Sequence, residues 1–321
     1  MHYRTIGTRQ VSALCLGTLP FGTVVDEETS FALLDRFVER GGTFIDTANC
    51  YCFWRQGSDG GDSERLLGRW LATRGNRDQV VLATKLGALP AGAGEWPANR
   101  EGLSRGVLHK GARHSLGRLG TDHVDLLYGH VDDPSTPVQE TVAAFAELVA
   151  EGLTQQIGMS NQGVERFARA RELAREVGVP GYVALQQRHT YLRHAPSADF
   201  DYQVSLDEPM LAYAGSQSDL TVLAYSSLLN GAYTDPLKPL PAEYDHPETA
   251  RALAVLREVA KETGATPNQV VYAWMLGGSP AVIPLVGVSR TSQLDEALDA
   301  VELELTVDQR ERLDVARSDP A

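Results

Sequence analysis

The sequence is poor in cysteine, with only Cys15, Cys50 and Cys52 in a chain of 321 residues. So small and odd a number cannot supply the disulfide framework on which small secreted proteins depend. Cys50 and Cys52 flank a single residue, but no second cysteine or histidine pair with zinc-ligand spacing accompanies them. We therefore expect reduced thiols in a reducing compartment and no bound metal.

The sequence also lacks long apolar runs and an excess of positive charge. No stretch approaches the roughly 18 apolar residues of a membrane span, and the first residues lack the apolar segment of a signal peptide. Lys and Arg number 29 against 42 Asp and Glu, which gives a formal net charge of −13. That charge disfavours nucleic acid and anionic membranes as main partners, although local donors can still hold a small anion. A cytoplasmic location is expected.

Strand and helix patterns alternate along nearly the whole chain. A β-hairpin is predicted over residues 3–16, with its turn at residues 7–10, and eight strand–helix units follow with further helices near the C-terminus. Short connections between such units predict parallel strands. A (β/α)8 barrel takes about 250 residues, so one domain over residues 1–321 fits this length.

Two features favour closure into a (β/α)8 TIM barrel over an open, doubly wound sheet. No Gly-x-Gly-x-x-Gly follows the first strand, so the dinucleotide fingerprint of open sheets is absent from the sequence. Polar residues follow many of the strands, and the active sites of barrels are built at these strand ends.

Three predicted strands end in side chains suited to proton transfer. Asp46 follows one buried strand and Tyr51 comes five residues later; Lys85 ends the next strand, and His130 follows the one after it. Taken singly, such residues are more often helix caps, turn formers or solvated ions. Parallel strands of a barrel end at one face, so we expect these four side chains to meet. A phenol has an ordinary pKa of about 10 and needs a nearby cation to act near neutral pH.

The order Asp-x4-Tyr, then strand-Lys, then strand-x-His resembles the catalytic tetrad of the aldo-keto reductases. Further segments that resemble the family are residues 115–128, 157–161, 222–226, 266–274 and 286–290. The resemblance implies that Tyr51 is the general acid for a carbonyl and that Lys85 lowers its pKa. It also implies that Asp46 pairs with Lys85 and that His130 orients the carbonyl oxygen.

The same resemblance implies an extended nicotinamide dinucleotide, NADP(H), bound without a Rossmann domain. The matching positions are Ser160, Asn161 and Gln186 for the carboxamide, Tyr225 for the nicotinamide ring, Ser226, Leu228 and Asn230 for the pyrophosphate, and Ser289, Arg290, Gln293 and Glu296 for the adenosine end. Tyr225 could instead be a core aromatic. A guanidinium suits a 2′-phosphate, so Arg290 with Ser289 predicts NADPH. Ala297 stands where the family usually has asparagine, which removes one expected adenine contact.

Residues 52–62 form a longer segment than the family's usual turn, and few residues follow the last predicted helix. Substrate contacts are therefore expected from Phe53, Trp54 and Trp96 and from the loop after His130. We expect the glycine-containing segment to be mobile and to fold over the substrate. The alternative is that both of its aromatic rings pack on neighbouring helices.

Several functions remain open at this level. An NADPH-dependent reductase of an aldehyde or ketone is favoured, and a reductase of nucleotide-linked deoxysugars is an alternative within the family. A cofactor-binding regulatory protein, resembling the potassium-channel β-subunits, would keep the cofactor site without turnover. A non-redox barrel enzyme, such as an isomerase or lyase, would need no dinucleotide. The small-molecule carbonyl or alcohol substrate, the favoured direction and the oligomeric state are not predicted.

Overall fold

The computed structural model describes residues 1–179, 181–235 and 237–318, and it begins with an antiparallel hairpin. Strands β1 (Tyr3–Ile6) and β2 (Arg9–Ser12) pair with Tyr3 opposite Ser12. The turn is shorter than the predicted residues 7–10, because Gly7 reverses the chain at a φ of 53°. Thr221 donates from Oγ1 to the Thr5 carbonyl at 3.0 Å, so the hairpin lies at the end where the barrel strands begin.

Eight parallel strands close into a barrel, and the predicted fold class is confirmed. In chain order they are β3 (Cys15–Gly17), β4 (Phe44–Asp46), β5 (Val81–Leu86), β6 (Val124–Gly129), β7 (Thr154–Ser160), β8 (Tyr182–Arg188), β9 (Thr221–Tyr225) and β10 (Val282–Gly287). The strands follow one another around the barrel, and β10 closes it by pairing with both β3 and β9.

Helices cover the outside of the barrel. They are α1 (Glu27–Glu39), α2 (Asp62–Arg74), α3 (Arg105–Leu119), α4 (Val138–Ala150), α5 (Val164–Glu176), α6 (Glu208–Gly215), α7 (Pro247–Thr263), α8 (Pro267–Leu276), α9 (Thr291–Asp299) and α10 (Val307–Arg317). Capping residues fix the starts of some of these helices. Asp26 caps α1 by accepting from the Thr29 amide, and Thr266 with Gln269 forms a capping box on α8.

The sequence pattern predicts a helix from about Arg100 to Leu119, but α3 begins at Arg105. Residues before Ser104 instead belong to a loop that closes on itself, since Pro90 bridges Arg100 and the Ala91 amide donates to the Asn99 carbonyl at 2.7 Å. The helices beyond the eight strand–helix units lie at two places in the chain. α7 precedes α8 between β9 and β10, and α10 packs back on α7 through a 3.0 Å bond from Arg251 Nε to the Ala316 carbonyl.

The core has two layers, one between the strands and helices and a smaller one inside the barrel. The interior layer contains Phe44, Ala83, Leu126 and Tyr128 from successive strands. Its apolar character ends toward the carboxyl ends of the strands, where Asp46 and Lys85 are fully buried. Among the described residues, no helix combines the length and apolar character needed to cross a membrane.

Candidate active site

The alternation of side chains along the strands places the predicted acid–base residues inside the barrel. In β4, Phe44 belongs to the interior layer and Ile45 to the outer one, so Asp46 points inward again. In β5, Ala83 is interior, and two residues later Lys85 is too. The strands are thus in a register that brings their last inward side chains together.

Lys85 is the centre of a buried polar cluster. Its Nζ forms an ion pair with Asp46 and donates to Tyr51 Oη at 2.6 Å and to the Thr47 carbonyl at 2.9 Å. The Lys85 and Asp46 side chains are 1% and 0% exposed, so both charges depend on each other for compensation. Lys85 is therefore held in one position against the phenol oxygen.

The phenol of Tyr51 retains its proton in this environment. Burial and then the Asp46 carboxylate raise the pKa of Tyr51 well above its usual value. The expected lowering by Lys85 is therefore wrong in its net direction, because Asp46 balances that charge and burial disfavours phenolate. The Tyr51 hydroxyl donates to Asp46 at 3.3 Å, longer than a strong O–H···O bond, so it can turn toward a substrate oxygen.

His130 lies beside Tyr51 as a neutral imidazole. Burial and then Lys85 hold the pKa of His130 well below its usual value. Its ring meets the Tyr51 ring edge-on, with centroids 6.1 Å apart. The backbone is fixed on both sides, because the His130 amide donates to the Leu86 carbonyl at 2.8 Å and its carbonyl accepts from Asn161 Nδ2 at 3.0 Å.

The residues matched to a carboxamide lie at or near the carboxyl ends of the next two strands, β7 and β8. Gln186 in β8 donates from Nε2 to Asp46 Oδ1 at 3.1 Å, which joins it to the acid–base cluster. Asn161 is engaged at both ends of its amide: Nδ2 also donates to Ser160 Oγ at 3.1 Å, and Oδ1 accepts from Tyr225 Oη at 2.6 Å. Tyr225 is thus oriented by Asn161.

A cavity of about 570 Å³ opens above this cluster. Every predicted site residue lines it except Asp46 and Lys85, which are buried behind Tyr51. The predicted residues that line it are Tyr51, His130, Phe53, Trp54, Trp96, Ser160, Asn161, Gln186, Tyr225, Ser226, Leu228, Asn230, Ser289, Arg290, Gln293 and Glu296. The cavity therefore connects the acid–base cluster with the residues matched to an adenosine group.

The far end of the cavity suits a phosphate. Arg290 is exposed at the N-cap of α9, and within the described ranges its guanidinium makes no hydrogen bond or ion pair. The Ser289 amide and hydroxyl donate to Gln293 Oε1 at 2.9 and 3.2 Å, which fixes the turn before the helix. A free cation at a helix N-terminus is a favourable anion site.

Glu296 and Ala297 differ in their access to the cavity. Glu296 lines it and accepts from Thr266 Oγ1 at 2.6 Å and from Asn268 Nδ2 at 3.2 Å. Ala297 is buried among apolar side chains, so the position makes no polar contact there. The side chain of Ala297 therefore cannot supply the adenine contact expected of the family's asparagine.

The loop after β9 forms one wall of the cavity with unusual backbone angles. Ser226 and Asn230 both have a φ of 57°, and Lys238 Nζ donates to the Asn230 carbonyl at 2.7 Å. Lys238 also lines the cavity, although no motif in the sequence points to it. Together with Arg290 it provides cationic donors for phosphates, so the residues present fit a dinucleotide.

The end of the cavity beside Tyr51 is aromatic. The Phe53 ring centroid lies 5.1 Å from Trp54 and 5.4 Å from Trp96, and Trp96 lies 4.5 Å from Tyr202. Trp96 is anchored by a 2.9 Å bond from Nε1 to the Ala88 carbonyl. We call Phe53, Trp54, Trp96 and Tyr202 the aromatic wall. Its rings contact one another and line the cavity. From the sequence alone, the rings of Phe53 and Trp54 could instead have packed on neighbouring helices.

The segment that carries Phe53 and Trp54 contains two glycine turns and approaches the backbone of residue 50. Gly57 and Gly60 have φ values of 84° and 90°, so each serves a turn that other residues adopt poorly. A Cβ on Gly60 would lie 2.9 Å from Cys50 Cα, so the segment approaches residue 50 closely. Trp54 remains 61% exposed and is the open edge of the aromatic wall.

Comparison with known protein families matches residues 13–317 to the aldo/keto reductase family. A norsolorinic acid reductase of Emericella nidulans is 34% identical over 317 residues, covering 92% of this chain and 76% of the relative. An aldo-keto reductase of Strobilurus tenacellus is 30% identical, covering 94% of this chain and 88% of the relative.

A bacterial relative and a solved structure agree with these matches. An uncharacterised oxidoreductase of Bacillus subtilis is 30% identical, covering 95% of this chain and 92% of the relative. The crystal structure of a thermostable aldo-keto reductase in complex with epalrestat is similar with a TM-score of 0.75 and 27% identity. That match covers 98% of this chain and 100% of the solved one.

Proposed function

The chain belongs to the aldo/keto reductase family, and from this premise we propose that it reduces an aldehyde or ketone to an alcohol with NADPH. NADPH, when bound, supplies the hydride for the carbonyl carbon. The single observation that carries the proposal is the contact of Tyr51 with the buried Lys85–Asp46 pair at the floor of the cavity. Oxidation of NADPH on addition of simple aldehydes tests it, and binding of NADPH without turnover would favour a regulatory protein instead.

The protein's own residues would act on the carbonyl oxygen. As negative charge develops there, Tyr51 donates its proton and the neutral His130 donates a hydrogen bond. Lys85, held by Asp46, keeps the phenol in place and stabilises the phenolate that remains. Burial of this cluster strengthens each of these interactions, because little water competes for them.

For the cofactor, Arg290 supports a preference for NADPH over NADH. Charge-assisted hydrogen bonds to a phosphate contribute about 1.5–3 kcal/mol, so Arg290→Ala should narrow the preference by roughly 10–100-fold. Dissociation constants for both cofactors, measured by quenching of protein fluorescence, check this expectation.

The affinity for NADH is the internal control for Arg290→Ala, because NADH lacks the 2′-phosphate and should bind both proteins similarly. Arg105→Ala is a matched variant, since that guanidinium is exposed and pairs with Glu147 instead of lining the cavity. Equal affinity of the unsubstituted protein for NADH and NADPH would contradict the assignment of the adenosine end.

For the substrate, the aromatic wall supports apolar or aromatic carbonyls over nucleotide-linked sugars. Trp54→Ala should raise KM severalfold for aromatic aldehydes and change the ranking of substrates. The effect should stay below the about 1.5–3 kcal/mol for full burial of a large apolar side chain, because Trp54 is 61% exposed. The NADPH dissociation constant should stay the same. A panel of aliphatic, aromatic and sugar carbonyls, including norsolorinic acid, measures the ranking.

Two further variants separate the loss of an aromatic face from a general effect. Trp54→Phe keeps a ring and should retain most of the preference. Val177→Ala removes another exposed apolar group, remote from the cavity, and should change nothing in the panel. The same ranking in Trp54→Ala and in the unsubstituted protein would show that the aromatic wall does not select the substrate.

A further inference from the structure

Cys50 contacts the imidazole of His130 at Nδ1, one of the two ring nitrogens. Its Sγ lies 3.3 Å from His130 Nδ1, and both residues line the cavity beside Tyr51. Cys50 is 4% exposed, in the turn that leads from β4 to Tyr51. The close approach of Gly60 to the Cys50 backbone holds this turn in place.

The protonation of the two groups decides which of them donates. Burial raises the pKa of Cys50 to about 12, so the sulfur holds its proton as a thiol near neutral pH. The His130 ring is neutral and therefore has one N–H and one acceptor nitrogen. A thiol is a weak donor and a weaker acceptor, so the favourable arrangement is S–H donating to Nδ1.

Other polar groups around His130 do not compete for Nδ1. The Asn161 amide donates to the His130 backbone carbonyl, and its oxygen accepts from Tyr225. Lys85 donates to Tyr51 and to the Thr47 carbonyl and pairs with Asp46. Within the part of the chain that the structure describes, Cys50 is the side chain in hydrogen-bond contact with the ring.

We propose that Cys50 is a positioning residue that fixes His130 in the tautomer with Nδ1 unprotonated and the proton on Nε2. With Nδ1 occupied as an acceptor, Nε2–H remains as the donor that a carbonyl oxygen needs. The opposite tautomer would present a lone pair to that oxygen and repel it. The expected effect on turnover rests on the proposed reductase function. The expected tautomer of His130 does not depend on that function.

The first arm of the test is kinetic. Cys50→Val removes the donor at similar volume and should lower kcat about 3–10-fold, the range for one modest hydrogen bond. Cys50→Ser restores a donor and should recover much of the loss. Cys52→Ser is the matched control, since its buried sulfur contacts the Leu19 carbonyl instead of His130. The NADPH dissociation constant should be unchanged in the three variants.

The second arm reads the tautomer directly, without cofactor or substrate. Nitrogen-15 NMR of the histidine-labelled protein distinguishes protonated from unprotonated ring nitrogens, and His130→Gln assigns the signal among the eight histidines. We expect Nε2–H in the unsubstituted protein and a mixture of tautomers in Cys50→Val. If Cys50→Val does not fold, the spectrum of the unsubstituted protein still tests the proposal.

The outcomes separate this proposal from the proposed function. A proton on Nδ1 of His130 in the unsubstituted protein would overturn the role of Cys50, and so would an unchanged kcat in Cys50→Val. Absence of carbonyl reduction in the unsubstituted protein would instead overturn the reductase function. In that case the NMR measurement would still decide the tautomer.

Discussion

Tyr51→Phe should lower turnover by about 10²–10⁴-fold, the typical contribution of a general acid, while NADPH binds nearly as before. The loss is expected because phenylalanine cannot supply the proton that the carbonyl oxygen takes up. Binding should survive, because the cavity extends from Tyr51 to Arg290 and the phosphate donors lie at the far end. Steady-state kinetics with an aldehyde and a fluorescence titration with NADPH measure the two effects separately.

Tyr3→Phe is a suitable control for the loss of a phenol. Tyr3 is 48% exposed in the hairpin, and its hydroxyl donates to the Gly41 carbonyl at 3.0 Å, remote from the cavity. This variant should turn over like the unsubstituted protein. Near-normal turnover in Tyr51→Phe would remove Tyr51 from the role of proton donor and leave His130 as the next candidate.

The sequence predicted the strand-borne part of the site because parallel strands impose a simple geometry. Inward and outward side chains alternate, and all strands of a barrel end at the same face. Asp46 and Lys85 could therefore be placed together from the positions at which their strands end. The family resemblance added Gln186, and it added Arg290, which follows β10 at the far end of the same cavity.

Features that depend on loops or on summed electrostatics were not predictable in the same way. Tyr202 completes the aromatic wall from an irregular stretch between β8 and α6, where no periodicity indicates which side chain faces the cavity. The start of α3 was misplaced because the preceding residues bond to each other within their loop. The pKa of Tyr51 depends on burial and on Asp46 together, and neither magnitude can be derived from spacing.

Lys85→Met should also lower turnover by about 10²–10⁴-fold, because the remaining phenolate loses its neighbouring cation. Unlike Tyr51→Phe, this change should destabilise the fold. Removing one partner of a buried ion pair costs about 3–5 kcal/mol, since the Asp46 carboxylate would remain buried without a counter-charge. Equilibrium unfolding in urea measures the loss of stability next to the kinetic assay.

A double variant separates the two consequences of losing Lys85. Asp46→Asn with Lys85→Met leaves no uncompensated charge, so much of the lost stability should return, while turnover stays low because no cation faces the phenol. The Asp46→Asn change keeps a carbonyl oxygen that could still accept from Gln186, which now donates to Asp46 Oδ1 at 3.1 Å. If stability and turnover recovered together, Lys85 would be a structural residue, and its 2.6 Å contact with Tyr51 would have no part in proton transfer.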